Sequence, residues 1–130
     1  MKPKIDLITI LTDNVPDMVE FYTKVLGFQT DTKMDTYVEL VNEGARFAIC
    51  QRSVMMETTS HPSYQERRSG QSFELAFPVD TPEQVDQIYA DILVKGAIPV
   101  KPPDNMPWGQ RAAFFADPDG NIHELFAELA

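Results

Sequence analysis

Glu124 stands where a charge is least expected. Residues 107–127, PWGQRAAFFADPDGNIHELFA, read as two strands joined by the turn Asp117-Pro118-Asp119-Gly120. Proline presets the second position of such a turn and glycine takes the position that side chains resist. On the returning strand Ile122, Glu124 and Phe126 point one way and His123, Leu125 and Ala127 the other, so one carboxylate sits among apolar neighbours. Buried unpaired it would be costly, so it needs a metal ion, a cation or a hydrogen-bonded ligand. Three chemistries follow: metal ligation, recognition of a ligand, or proton transfer by Glu124 as general base. Arg111, on the strand before the turn, is the expected internal partner. Trp108, between Pro107 and Gly109, would stack on a flat or cationic ligand, or else cover the sheet rim or a dimer contact.

The elements that must position these residues can be read in chain order. Residues 5–12, IDLITILT, form a β-branched apolar run that predicts a strand buried on much of both faces. Asp13 and Asn14 offer caps and Pro16 opens a helix of about ten residues, with Val15, Met18, Val19, Tyr22, Val25 and Leu26 at helical spacing, until Gly27 stops it. Strands are predicted over 28–34, 37–41 and 45–51. Residues 52–72 show no sustained periodicity, and residues 53–72 are expected to be a connector or lid, whose His61 and Tyr64 are surface or anchoring groups. A strand over 73–79 and a helix over 82–94 closed by Gly96 follow. A further strand begins at 98–101, and Pro102-Pro103 is expected to break it before the final hairpin. The order repeats. Asp13, Tyr22 and Leu7 correspond to Asp80, Tyr89 and Glu74 at a constant offset of 67, which predicts an internal duplication.

Composition narrows the function classes. The chain has 130 residues, enough for one domain with a real core, and its 43% hydrophobic and 24% charged content is that of a folded globular protein. Eleven basic against twenty acidic residues give a net charge of −9, which disfavours nucleic acid and anionic lipid as partners and suits cationic or neutral ones. The first apolar run is short, carries Asp6 and lacks a small-residue cleavage site, so the expectation is neither signal peptide nor membrane span but a cytoplasmic protein. The lone Cys50 excludes an intramolecular disulfide and reads most simply as a small buried residue. No Ser-His-Asp set, phosphate-cradling glycine loop or paired CxxC is present.

Two copies of strand, helix and three strands, with FYTKVLGF at 21–28 and DPDGN ahead of a strand carrying a glutamate, resemble the vicinal oxygen chelate superfamily. That superfamily includes glyoxalase I, extradiol dioxygenases, fosfomycin resistance enzymes and bleomycin resistance proteins. The resemblance implies an α+β fold of two βαβββ modules, residues 1–52 and 73–130, forming an open, curved mixed sheet around a cavity, commonly in a homodimer. In metal-using members several strands each give one ligand. The last-strand ligand maps to Glu124 and that of the second half's first strand to Glu74. The first strand of the chain offers Leu7, which cannot ligate, and the remaining position falls near Cys50, whose strand parity Ala48 shares. The resemblance therefore implies a depleted site that mixes hard and soft donors.

Glu74 and Glu124 could still share one divalent ion, zinc, nickel, manganese, iron or magnesium, with water completing the shell. Without an ion the two carboxylates repel, and one keeps a proton or pairs with a cation such as Arg111. His123 has the opposite parity and is expected to be a structural histidine. The leading expectation is a small-molecule binding protein of the glyoxalase or bleomycin resistance type that needs no cofactor. It would sequester or process a cationic or aromatic ligand with Trp108, Arg111, Glu74 and Glu124. The alternatives are a metal-assisted lyase, isomerase or dioxygenase with its ion on Glu74 and Glu124, and a cofactor-free enzyme with Glu124 as general base.

Overall fold

Strand β1 (Leu7–Thr12) runs parallel to β4 (Arg46–Gln51), and β3 (Tyr37–Leu40) and β2 (Thr30–Lys33) extend the sheet in the order β1-β4-β3-β2. Together with their helices these strands make one of two compact units, Met1–Ser69, in a computed structural model that describes residues 1–130. The register aligns Ile10 with Ile49 and Val38, and Phe47 with Leu40, all of them buried. Helix α1 (Val15–Glu20) lies against this sheet, its buried Val15 and Met18 turned inward. Asn14 caps it by accepting from the Asp17 N–H, and Pro16 fits the first turn, where no intrahelical donor is needed.

The periodicity that suggests one ten-residue helix hides a change of pitch. Residues Phe21–Val25 form a π turn in which the Leu26 N–H reaches the Phe21 carbonyl at 3.2 Å. The wider turn lets the successive residues Phe21 and Tyr22 both be buried, and the Tyr22 ring meets Phe47 edge-on at 5.4 Å. The stretch expected to lack regular structure contains a helix, α2 (Arg52–Thr59), followed by a 3-10 turn at Pro62–Gln65. Asp13 pairs with Arg52 at 3.3 Å and with Arg67 at 3.5 Å, so both ends of the excursion return to the β1–α1 junction. Periodicity misses it because α2 buries no residue fully and so carries no strong apolar stripe.

The second unit, Gly70–Ala130, repeats the plan with sheet order β5-β8-β7-β6. Here β5 (Ala76–Pro78) runs parallel to β8 (Ile122–Glu128), while β7 (Gln110–Ala116) and β6 (Ile98–Asn105) are antiparallel additions. Each unit is thus a βαβββ module with an open four-stranded mixed sheet, the α+β architecture expected. Helix α3 (Pro82–Lys95) starts with a capping box between Thr81 and Gln84 and stops at Gly96, whose φ of +123° is one that side chains resist. It turns Val85, Tyr89 and Ile92 onto the sheet, and the Tyr89 hydroxyl donates to the Phe114 carbonyl at 2.8 Å.

Two strand boundaries differ from expectation. Pro102 and Pro103 do not end β6, because the register shifts between Pro99 and Lys101 and again between Lys101 and Asp104. These bulges on an edge strand absorb residues that cannot donate to the ladder. In contrast β5 is shorter than predicted and begins only at Ala76, two residues beyond Glu74.

Candidate functional site

The turn that aims Glu124 is built as the sequence predicts. The Gly120 N–H reaches the Asp117 carbonyl at 2.9 Å, and the fully buried Asp117 carboxylate accepts from the N–H groups of Asp119 and Asn121 at 3.0 Å each and from the Asn121 side chain at 2.8 Å. The resulting register pairs Ala116 with Ile122 and Phe114 with Glu124, while β5 sets Ala76 beside Glu124 on the other flank. Residues opposite one another in a ladder share a face. Ile122, Glu124 and Phe126 therefore lie with Phe114 on the face away from α3 and are half-buried there, while His123, Leu125 and Ala127 are buried on the helix side.

Glu74 stands beside Glu124, close enough for the two carboxyls to interact through a hydrogen bond and through charge. Burial first, then that bond and the negative charge of Glu74, push the Glu124 carboxyl up to about 7. Glu124 thus keeps its proton to higher pH than an ordinary glutamate, and in that form it can donate toward Glu74. Near pH 7 the Glu124 carboxyl is about half protonated, in an apolar setting.

Arg111 does not join them, contrary to the expected internal pair. It stands opposite Ala127, on the helix side, where its Nε and Nη2 donate to the two oxygens of Asp86 on α3 at 2.8 and 3.1 Å and its Nη1 to Asn105 at 3.0 Å. The Asp86 hydrogen bond raises its pKa further. The signal for this was in the sequence: a hairpin that closes Ala116 on Ile122 puts residue 114, and not 111, opposite 124. Trp108 occupies the β6–β7 turn, where Gly109 has a φ of +88° and its N–H bonds the Met106 carbonyl at 3.1 Å. The indole is 61% exposed and donates to Gln110 at 3.0 Å, and Gln110 in turn donates to Glu128 at 2.8 Å. Four residues of strand, roughly 13 Å, separate Glu128 from Glu124, so Trp108 stands at the other end of β8.

In the first unit the register identifies the counterparts of the two carboxyls. Ala48 pairs with Thr9 as Glu124 pairs with Ala76, and Thr9 and Ala76 stand at the same offset of 67 as Leu7 and Glu74. The equivalents of Glu74 and Glu124 are therefore Leu7 and Ala48, neither of which can ligate. Cys50 aligns with Leu11 and Tyr37; its thiol donates weakly to the Gln51 carbonyl at 3.5 Å, and burial raises its pKa. Within neither unit do three or more His, Cys, Asp or Glu side chains gather in a cluster. Two carboxyls by themselves supply only part of the donor set that a divalent ion takes, the rest falling to water or a ligand.

Sequence reasoning missed a polar group on the first sheet. The Tyr37 hydroxyl donates to Glu39 at 2.8 Å, and Arg46 grips the same carboxylate through Nη2 at 2.8 Å and Nε at 3.0 Å, with Asp6 at 3.4 Å from its Nη1. Hydrogen bonds from Arg46 first and Tyr37 second hold Glu39 below the usual carboxylate range. Strand parity was the available signal, since Tyr37 and Glu39 alternate with the core residues Val38 and Leu40. His123 is enclosed as expected of a structural histidine, fully buried among the rings of Phe73, Phe77 and Phe115, with Asp117 Oδ2 at 3.7 Å from its Nε2.

Comparison with known proteins agrees with this architecture. The profile of the Glyoxalase/Bleomycin resistance protein/Dioxygenase superfamily matches residues 4–125. The chain is 32% identical over 127 residues to the uncharacterized protein YraH of Bacillus subtilis (strain 168), covering 94% of this chain and 96% of that one. Among solved structures it resembles a glyoxalase/bleomycin resistance protein/dioxygenase from Nocardioides, with a TM-score of 0.88 at 29% identity over 99% of this chain and 85% of that one. A family enzyme from Burkholderia phytofirmans PsJN gives the same TM-score of 0.88 at 25% identity over 98% and 100%. With two βαβββ modules, the DPDGN turn and a glutamate on the strand that follows it, the chain belongs to the glyoxalase/bleomycin resistance protein/dioxygenase superfamily.

Proposed function

We propose that this chain is a small-molecule binding protein whose organic ligand is held, without a metal ion, by the Glu74–Glu124 carboxyl pair on the face of the second sheet away from α3. What carries the reading is the Glu124 carboxyl, raised to about 7 beside Glu74 with Phe114, Ile122 and Phe126 around it. Such a pair offers one donor and several acceptors against an apolar floor, the pattern of a ligand pocket with a few fixed polar groups. It suits a cationic or aromatic molecule: an amine would displace the shared proton, and a flat ring would lie on the phenylalanines. Leu7 and Ala48 at the equivalent strand positions support independence from a metal. The same reading takes the chain as a cytoplasmic homodimer, which light scattering after size exclusion would check.

A second reading has one observation in its favour. A carboxyl near 7 is matched to proton transfer at neutral pH, so Glu124 could act as general base in a cofactor-free reaction. The first test is a thermal-shift series with cationic and aromatic compounds and with zinc, nickel, manganese, iron(II) and magnesium, on wild type and Glu124→Gln. A compound at about 100 times its dissociation constant adds about 2.7 kcal/mol. An organic compound that stabilises the wild type and not the variant supports binding, and a turnover of that compound abolished by the substitution moves the assignment to the enzyme. Stabilisation by one metal, lost in Glu124→Gln, would overturn the metal-free reading.

A further inference from the structure

The early end of β5 points to a device behind the carboxyl pair. In the β5–β8 ladder the Glu124 N–H reaches the Leu75 carbonyl at 2.9 Å and the Val79 N–H reaches the Phe126 carbonyl at 2.8 Å. Continued by one step, the parallel pattern would carry the Leu75 N–H to the Ile122 carbonyl. It does not. The Leu75 N–H goes to Nδ1 of His123 at 3.2 Å, and both backbone groups of Ile122 go to the Gln71 carboxamide, its Nε2 donating to the Ile122 carbonyl at 2.7 Å and its Oε1 accepting the Ile122 N–H at 2.9 Å. The same Gln71 Nε2 also donates to the Phe73 carbonyl. Two side chains thus substitute for the strand, and the chain leaves the sheet at the residue next to Glu74.

We propose that Gln71 and His123 are positioning residues that hold Glu74 against Glu124, Gln71 by taking over the ladder bonds of Ile122 and His123 by accepting the Leu75 N–H. This rests on the reading of Glu74 and Glu124 as the functional pair. The parts are built for it. Accepting at Nδ1 places the imidazole proton on Nε2, toward Asp117, and the three surrounding rings fix the ring plane. Gln71 is exposed, yet it makes three bonds that close the segment over the start of β8. Glu74 has no ladder bond of its own among these, so its place depends on the flanking Phe73 and Leu75.

The test is the pH titration of Glu124 in free protein, followed by NMR of carboxyl-labelled glutamate. In wild type the midpoint is expected at about 7. Removing the contribution of Glu74 leaves that of burial, so Glu74→Gln should lower the midpoint part of the way toward that of an ordinary glutamate. Gln71→Ala and His123→Leu should lower it as much as Glu74→Gln does, while His123→Asn, which restores an acceptor near Nδ1, should return it toward the wild-type value. If His123→Leu does not fold, Gln71→Ala and His123→Asn still decide. A lowered midpoint in Glu74→Gln with an unchanged one in Gln71→Ala overturns the positioning role alone. An ordinary carboxylate midpoint in wild type overturns the carboxyl pair, and with it both readings.

Discussion

Replacing Glu124 by Gln separates the carboxyl pair from an ordinary surface acid, because the first predicts a slope of stability against pH and the second none. The unfolded chain holds Glu124 near 4.5 and the fold holds it near 7, so between those values the folded state carries the extra proton. By linkage the stabilisation from that proton is complete below about 4.5 and is lost as pH rises through 7. Taken at full value the displacement corresponds to about 3 kcal/mol. Glu124 is only half-buried, so water screens part of it and about 1–2 kcal/mol remains. Glu124→Gln keeps the shape and a donor toward Glu74 but cannot ionise. It should therefore match wild type near pH 5 and exceed it by about 1–2 kcal/mol at pH 8, or roughly 4–8 °C in Tm. Urea denaturation at both pH values, with the difference between the two proteins as the readout, measures this directly. A variant less stable than wild type at pH 8, or a difference independent of pH, would refute the assignment of the proton to Glu124.

Two further predictions probe the scaffold. Asp117→Ala removes a buried acceptor of three hydrogen bonds at 2.8 to 3.0 Å and should cost about 2–4 kcal/mol in chemical denaturation, with hydrogen exchange quickening first at Asp119 and Asn121. Arg111→Ala and Asp86→Ala should lower the denaturation midpoint less than additively in the double variant, and Arg111→Ala should leave the Glu124 titration unchanged, since the guanidinium faces α3.

What could be read from the sequence was local or periodic. The DPDGN turn announces itself because proline and glycine fix the backbone wherever they occur, and once Ala116 meets Ile122 the face of Glu124 follows from strand parity. The duplication was legible because both modules begin with the same run of strand, cap and helix at one offset. What could not be read depends on partners distant in the chain. The shortened β5 is set by His123, 48 residues from Leu75, and by Gln71, 51 residues from Ile122. Neither leaves a trace in hydrophobic pattern. The prolines of β6 misled for a related reason: a bulge on an edge strand removes the need for their missing donors, and only the register reveals the bulge.

The two modules put the same side-chain type to opposite electrostatic use. Each presents a half-buried glutamate on its sheet, Glu39 in the first unit and Glu124 in the second. Glu39 has a guanidinium across two bonds and a phenol beside it, so its charge is favoured and its carboxyl is held low. Glu124 has burial and another carboxyl, so its charge is disfavoured and its carboxyl is held high. Part of the difference is that Arg46 precedes Ala48 on β4 by two positions, whereas Ile122 stands at the matching place before Glu124 on β8. An acid clamped by its own arginine is already satisfied and has little to offer a ligand, whereas an acid that lacks a cation and holds a proton has both a donor and an unmet demand for positive charge. That asymmetry is why the functional reading belongs to the second module, even though the first carries the more extensive polar network.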